Sequence, residues 1–441
     1  VAKEMEHFDV IIVGAGLAGI QSAYYLQRDC PEHSFVILES RQDLGGTWDL
    51  FKYPGVRSDS DMYTYGYTFN PWPGQNEIAN GADIKNYIKQ TAEKYNISQQ
   101  IRFNHLVTGL EWKTDRWYIT LENQPTVTCH FIIMCAGYFN YENPHTPDIK
   151  DTARYAGKIV HPQHWQELDY KDKDITIIGS GATMVTLAPE LAKQAKSITV
   201  IQRSPGYIVN APKQQTGSRY KKIYEGFKFL RYCRNNPEAA QKLLTRYDKP
   251  NYYPWEQRVC VTVDNEFFEC VDSGKIKLIT STIDSYVDNG IKLTSGQIVL
   301  SDIVVTATGI NTKLMGGVTV IVDGKLINIH DTIFYRGTMF TGIPNLAATV
   351  GYVNHSWILR CELISRYIVR VLNYMKKKNL RICTPYILDK DSVPFNLPMI
   401  SNYLVRSNEL YPGRSWRHYQ NYYKDWIVFK FCNLKKGMIF K

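Results

Sequence analysis

Short apolar runs rich in β-branched residues alternate along this chain with stretches of helical periodicity, and four of the runs end in turns of small residues. The run 8–13 enters Gly14-Ala15-Gly16-Leu17-Ala18-Gly19, a helix-compatible stretch continues to Arg28, and a second run, 34–38, delivers Glu39 at its end. This order predicts strand, tight turn, helix and strand, one βαβ unit. The plan recurs about 165 residues later: run 175–178, the turn Gly179-Ser180-Gly181-Ala182-Thr183-Met184, a helix to about residue 193, and a strand 197–201 running into Gln202, Arg203 and Ser204. Runs 131–135, before Ala136-Gly137, and 303–306, before Ala307-Thr308-Gly309, read as returns between domains. The expected fold is α/β, with two Rossmann-like dinucleotide-binding domains. The first takes residues 1–150, and the second takes 151–309 with a helical insertion at about 207–255. Residues 310–441 return to the first domain and supply a C-terminal helix and tail. Apolar positions at helical spacing, Trp357, Leu359, Leu363, Ile364, Tyr367, Ile368, Val371 and Leu372, predict the long helix there, with Asn354 or Ser356 to cap it.

Composition narrows the class. With 441 residues, 44% hydrophobic and 21% charged, the chain is long enough for two to three domains and reads as globular, not disordered. Nine cysteines, an odd number with no CxxC pair, argue against a disulfide framework and a zinc site and predict a reducing, cytoplasmic compartment. His161 and His164 have no Cys or carboxylate at ligand spacing, so no metal is expected. No secretory signal is expected, because the first apolar run breaks at Gly14. The longest stretch without charge, 337–359, contains Gly342, Pro344, Asn345 and Gly351, which excludes it as a membrane span. The net charge of +10 is concentrated in residues 213–249, with ten Lys/Arg against three Asp/Glu, and 414–441, with seven against one. Tyr, Phe and Leu are interleaved with these charges at helical spacing. The expectation is therefore a solvated, mobile helical lid and a solvated tail, with no nucleic-acid partner and no integral membrane association.

The turns carry the first chemical signal. A GxGxxG turn brings backbone N–H groups against a pyrophosphate at a helix N-terminus, where the dipole favours an anion. In the first unit Gly14, Gly16 and Gly19 are followed twenty residues later by Glu39, a carboxylate placed to accept from a ribose diol. In the second, Gly179, Gly181, Ala182 and Thr183 form the turn, and Arg203 with Ser204 stands where the acid would be. A guanidinium pairs with a 2′-phosphate that a carboxylate would repel. FAD is expected in the first unit and NADPH in the second, with hydride passing from NADPH to flavin. Met184 replaces the third glycine and should loosen helix–strand packing there.

Residues 45–59 carry the second signal. Gly45, Gly46, Trp48, Tyr53, Pro54, Gly55 and Asp59, with Thr47 between, match every fixed position of [AG]GxWxxxx[FY]P[GM]xxxD. By this motif the chain resembles the Baeyer–Villiger class of flavoprotein monooxygenases. A second fingerprint of that class, FxGxxxHTxxWP, is met at Gly157, His161 and Trp165, whereas Tyr155, Pro162 and Gln166 depart from it. Segments 51–63, 161–165 and 254–258, and Gly351-Tyr352 with Ser356-Trp357, are similar to the ethionamide-activating branch. The resemblance implies an NADPH- and O2-dependent enzyme that inserts one oxygen atom into ketones or oxidises sulfur compounds through a C4a-peroxyflavin. It implies that Arg258 holds the peroxide anion unprotonated, that Asp59 orients Arg258, and that Gln257, where many relatives have Lys, weakens the NADPH preference. His161 reads as structural; Trp48 either packs on the flavin or fills core. The enzyme alternative is a flavin monooxygenase confined to nucleophilic nitrogen and sulfur. A disulfide reductase would need a cysteine pair the chain lacks. The alternative from another class is a flavin-binding surface or nucleic-acid partner using the basic segments.

Overall fold

The computed structural model describes residues 5–214, 217–396 and 402–441. Strand β1 (His7–Val13), helix α1 (Leu17–Asp29) and strand β2 (Phe35–Leu38) form the first βαβ unit, with β1 and β2 parallel and Val10 opposite Phe35. On its other edge β1 pairs in parallel with β3 (Gln124–Met134), so Val10, Ile11 and Ile12 lose all contact with water. An antiparallel meander, Val107–Lys113 and Arg116–Leu121, leads into β3 on the side away from β1, and Leu346–Ala348 pairs with the end of β3 on that same side. These strands belong to a sheet of 13 among the described residues, drawn from both ends of the chain.

The middle of the chain builds a second sheet. Strand β4 (Asp174–Ile178), helix α2 (Ala182–Leu191) and strand β5 (Ser197–Gln202) repeat the βαβ plan. Met184 does not loosen α2 as expected. The side chain is 1% exposed and takes its place in the apolar core with Ile177, Val185, Leu187 and Phe267, so volume supplied by sulfur and methylene replaces the close backbone approach of a glycine.

After β5 the excursion is not helical throughout. It opens with Ile208–Ala211, which pairs in parallel with Cys260–Val263, because Ile208 and Val209 are β-branched and find an open partner. The helical part is α3 (Arg219–Asn235) and Pro237–Leu244. The expected mobile lid is instead a docked one. Arg219 donates to the carbonyls of Tyr63 (3.2 Å) and Gly66 (2.8 Å), and Lys222 lies 2.7 Å from the buried Glu77. Two of the basic residues are thus consumed in fastening α3 to the first domain.

Strands β6 (Ile276–Thr280) and β7 (Ile303–Thr306), with Lys158–Val160, complete a parallel sheet of order β6-β5-β4-β7-(158–160). Helix α4 (Trp357–Lys377) follows the return and packs on α1, where Ser22 and Ser365 share a 3.0 Å hydrogen bond. Ser356 occupies its N-cap without a side-chain hydrogen bond. Helix α5 (Tyr422–Phe431) covers α4. No helix among the described residues is long and apolar enough to cross a membrane.

Candidate active site between two dinucleotide turns

The first Gly-rich turn is forced by sterics. A Cβ on Gly19 would sit 1.9 Å from the Gly14 carbonyl oxygen, so α1 can start this close to β1 only with glycine there. Gly16, at the N-cap of α1, and Gly181, at that of α2, play another part. Neither helix has a side-chain cap, leaving first-turn N–H groups for an anion. A Cβ on Gly181 would meet nothing within 4 Å, and one on Gly16 only Gly46, at 3.7 Å or beyond. The space in front of both turns is open.

In front of Gly14 and Gly16 lies a cleft that also reaches Glu39, Gly46, Thr47, Trp48, Tyr65 and Trp357. Glu39 is buried; its carboxylate accepts from the N–H groups of Ala15 (2.7 Å) and Arg41 (2.9 Å), which holds the acid at the lip of the turn. Trp357 brings the N-terminus of α4, the positive end of its dipole, to the same cleft. Trp48 lines the cleft and donates from Nε1 to the Tyr65 hydroxyl at 3.0 Å, so the ring has a fixed orientation. Open N–H groups at the turn and a buried acid at the end of β2 fit an adenine dinucleotide.

Segment 45–59 explains itself once both turns are in view. Gly46 sits against Gly16 at the first turn. Nine residues on, a Cβ on Gly55 (φ +79°) would come within 2.4 Å of the Thr186 carbonyl oxygen of α2, and the buried Tyr53 packs into the core that holds Val185, Leu187 and Ala188 of the same helix. The segment is therefore a strap from one dinucleotide turn to the helix of the other. It ends in Asp59, whose Oδ1 and Oδ2 each lie 2.8 Å from Nη2 of Arg258. Burial pushes the Tyr65 phenol well up, with Asp59 adding to the shift and Arg258 opposing it, so the ion pair lies within electrostatic reach of the cleft wall.

The other candidates fall in two places. Arg203 stands exposed just past β5; the Ser204 hydroxyl beside it donates to Asn251 Oδ1 at 3.2 Å. Gly179, Gly181, Ala182 and Thr183 lie at the start of α2, on the neighbouring strand end. Gly157, His161 and Trp165 lie in the linker, not in the cleft. Gly157 is pressed against Tyr155 and the Asp302 carbonyl, and Trp165 packs on the second core. His161 Nδ1 accepts from the Gln163 N–H (3.1 Å), while Gln163 Nε2 donates to the carbonyls of Asn140 (2.8 Å) and Tyr141 (3.0 Å). The turn His161–Gln163 thus fastens this linker to segment 140–141. Tyr65, Arg219 and Lys222 escaped the sequence reading, since their partners lie 17 to 156 residues away and no motif joins them.

Burial pushes the imidazoles of His161 and His355 down to about 4, Arg234 adding to the effect at His355. Both rings are neutral in the folded chain at pH 7. Unfolded, they take up protons near their ordinary value of 6.5, so between about pH 6.5 and 4 the unfolded state binds more protons and stability falls with acidification. Each ring should remove on the order of 1 kcal/mol per pH unit in that window. Urea midpoints at pH 7 and 5 measure this; equal midpoints, or a higher one at pH 5, would contradict it.

Comparison with known proteins identifies the family. The family described as pyridine nucleotide-disulphide oxidoreductase matches residues 11–217, although no two of this chain's cysteines are paired. The FAD-containing monooxygenase EthA of Mycobacterium tuberculosis is 40% identical over 95% of this chain and 94% of its own length. The probable FAD-binding monooxygenase AlmA of Acinetobacter baylyi is 34% identical over 98% and 96%. Among solved structures, an oxidized steroid monooxygenase bound to NADP has the same fold, with a TM-score of 0.78 at 18% identity over 98% of this chain and 99% of that one. Identity of this extent, over nearly the whole of both chains, places the protein in the family of FAD-containing monooxygenases.

Proposed function

We propose that the protein is an NADPH- and O2-dependent Baeyer–Villiger-type monooxygenase acting on small ketones, sulfides or both, in the cytoplasm. The observation that carries this reading is the Arg258–Asp59 pair at the end of the strap that runs from the first dinucleotide turn to α2. FAD, when bound, accepts hydride from NADPH and activates dioxygen. The chain's own residues do the rest. The open N–H groups at the start of α1 hold one pyrophosphate, with Glu39 on the ribose beside it. The start of α2 holds the other, with Arg203 and Ser204 on the adenosine 2′-phosphate. Arg258 presents a fixed positive charge where negative charge develops as dioxygen is reduced, and Asp59 keeps the guanidinium aimed there by a charge-assisted hydrogen bond. A cation that holds oxygen's charge without giving up a proton favours attack on a ketone carbonyl over oxidation restricted to nitrogen and sulfur.

The test supplies the purified holoenzyme with NADPH, 18O2 and either cyclohexanone or thioanisole. One labelled atom in the ester or sulfoxide is expected; NADPH oxidation that labels neither would refute the reading. Arg203→Ala should raise KM for NADPH roughly ten- to hundredfold while leaving KM for NADH near its original value, because only NADPH loses a charge-assisted hydrogen bond. Equal effects on both coenzymes would remove Arg203 from the site.

A further inference from the structure

Three basic groups from distant parts of the chain gather at the C-terminal ends of the strands of the parallel sheet. Arg203 follows β5, β5 lies beside β4 with its Gly179–Gly181 turn, and β4 lies beside β7. Beyond β7 the chain turns through Thr308, Gly309 and Ile310, and two other segments are fastened to this turn. The Thr308 hydroxyl donates to the His145 carbonyl at 2.6 Å, and the His145 N–H donates to the Gly309 carbonyl at 3.3 Å. Arg406 Nη2, from the segment Asn402–Arg406, donates to the Ile310 carbonyl at 3.1 Å. Neighbouring strands are about 4.8 Å apart, so the ends of β5 and β7 are separated by roughly 10 Å, a gap that two arginine side chains and a phosphate fill.

The groups also sense one another. After burial, the charge of Arg203 pushes the Arg406 guanidinium down, and the charges of Arg406 and Arg203 do the same to the His145 imidazole. Among the described residues neither Arg203 nor Arg406 has an ion-pair partner, whereas Arg219 has Glu362, Lys222 has Glu77 and Lys85 has Asp43. Like charges held together by backbone hydrogen bonds, with no counter-charge of their own, form a site for an anion.

We propose that Arg406 is a second cation for the 2′-phosphate of NADPH, lying across from Arg203 with His145 beside the pair. The inference rests on the reading of Arg203 and α2 as the NADPH site and adds a residue from the far end of the chain to it. A phosphate monoester carries close to two negative charges at pH 7, and Arg203 alone balances one of them. The segment ending at Arg406 then distinguishes NADPH from NADH.

Calorimetric titration of the FAD-loaded protein with adenosine 2′,5′-bisphosphate and, separately, with adenosine 5′-monophosphate tests this without turnover. Arg406→Gln should weaken the bisphosphate roughly ten- to hundredfold and change the monophosphate less than about twofold. Arg406→Lys should recover part of the loss, because it restores charge without the planar fork. If Arg203→Ala weakens the bisphosphate selectively and Arg406→Gln does not, the proposal is wrong and the NADPH reading stands. If neither substitution discriminates between the two ligands, the NADPH reading itself fails. Equal loss of both ligands in Arg406→Gln with full FAD content would assign Arg406 a structural role and overturn the proposal.

Discussion

Replacing Arg258 by alanine is expected to leave the protein folded, loaded with FAD and reducible by NADPH, while oxygen transfer to substrate falls about a hundred- to thousandfold. The argument is electrostatic. A cation held within hydrogen-bond reach of a developing anion is worth about 2.7 to 4 kcal/mol in a site that excludes water. The Arg258 side chain is 37% exposed, which puts the effect at the lower end of that range. Reducing equivalents would still reach oxygen, so NADPH consumption should continue and appear as hydrogen peroxide. The measurement is the ratio of product to NADPH oxidised, with a peroxide assay alongside. Asp59→Ala removes the orienting carboxylate and leaves the cation, and a smaller shift of the same ratio is expected. Full coupling in Arg258→Ala would mean that the guanidinium serves only to hold residues 254–258 against the strap.

The largest loss of stability is expected at Asp425. The Arg360 side chain is 0% exposed and that of Asp425 1%; Arg360 Nε lies 3.3 Å from Asp425 Oδ2, to which the Tyr352 hydroxyl also donates at 2.9 Å. Removing one member of a buried ion pair leaves the other uncompensated, at a cost of about 3 to 5 kcal/mol. Arg360 also donates to the carbonyls of Gly337, Val350 and Arg336, which spread part of its charge and place Asp425→Ala near 3 kcal/mol. A urea titration of the FAD-loaded protein should show a lower midpoint at unchanged slope. A change below about 1 kcal/mol would show that the three carbonyls suffice for Arg360. The effect should reach the cleft, since Arg360 lies one helical turn after Trp357, and a loosened α5 frees the start of α4.

What could be read from the residues depended on whether a signal lay within one local stretch. Gly14, Gly16, Gly19 and Glu39 form one unit with fixed spacing, and the two βαβ units were legible to within a few residues. The chemistry of the strap was legible as a motif, yet its physical reason was not: Gly55 needs the Thr186 carbonyl, 131 positions away, before its missing Cβ makes sense. The docking of α3 was hidden for the same cause, because Lys222 finds Glu77 only through the tertiary fold. The basic charge of 213–249 therefore read as solvated when part of it is buried against carbonyls and carboxylates. Met184 was misjudged because its side chain finds a place in an apolar core with Ile177 and Phe267 that no local signal marks. Arg406 carries no local mark at all; only the turn after β7 brings it to Arg203.

The first sheet takes β1 and β3 from the N-terminal third of the chain and closes on Leu346–Ala348, and the cleft is walled by Trp357 from beyond that strand. During synthesis, then, the parallel sheet in the middle has all of its strands once residue 306 has emerged, while the sheet begun earlier still lacks an edge and α1 still lacks α4. The segment made first is finished last. The cleft is walled off only at the final stage of synthesis, and a nascent chain stalled before Trp357 would hold the middle sheet complete beside a cleft with one wall missing.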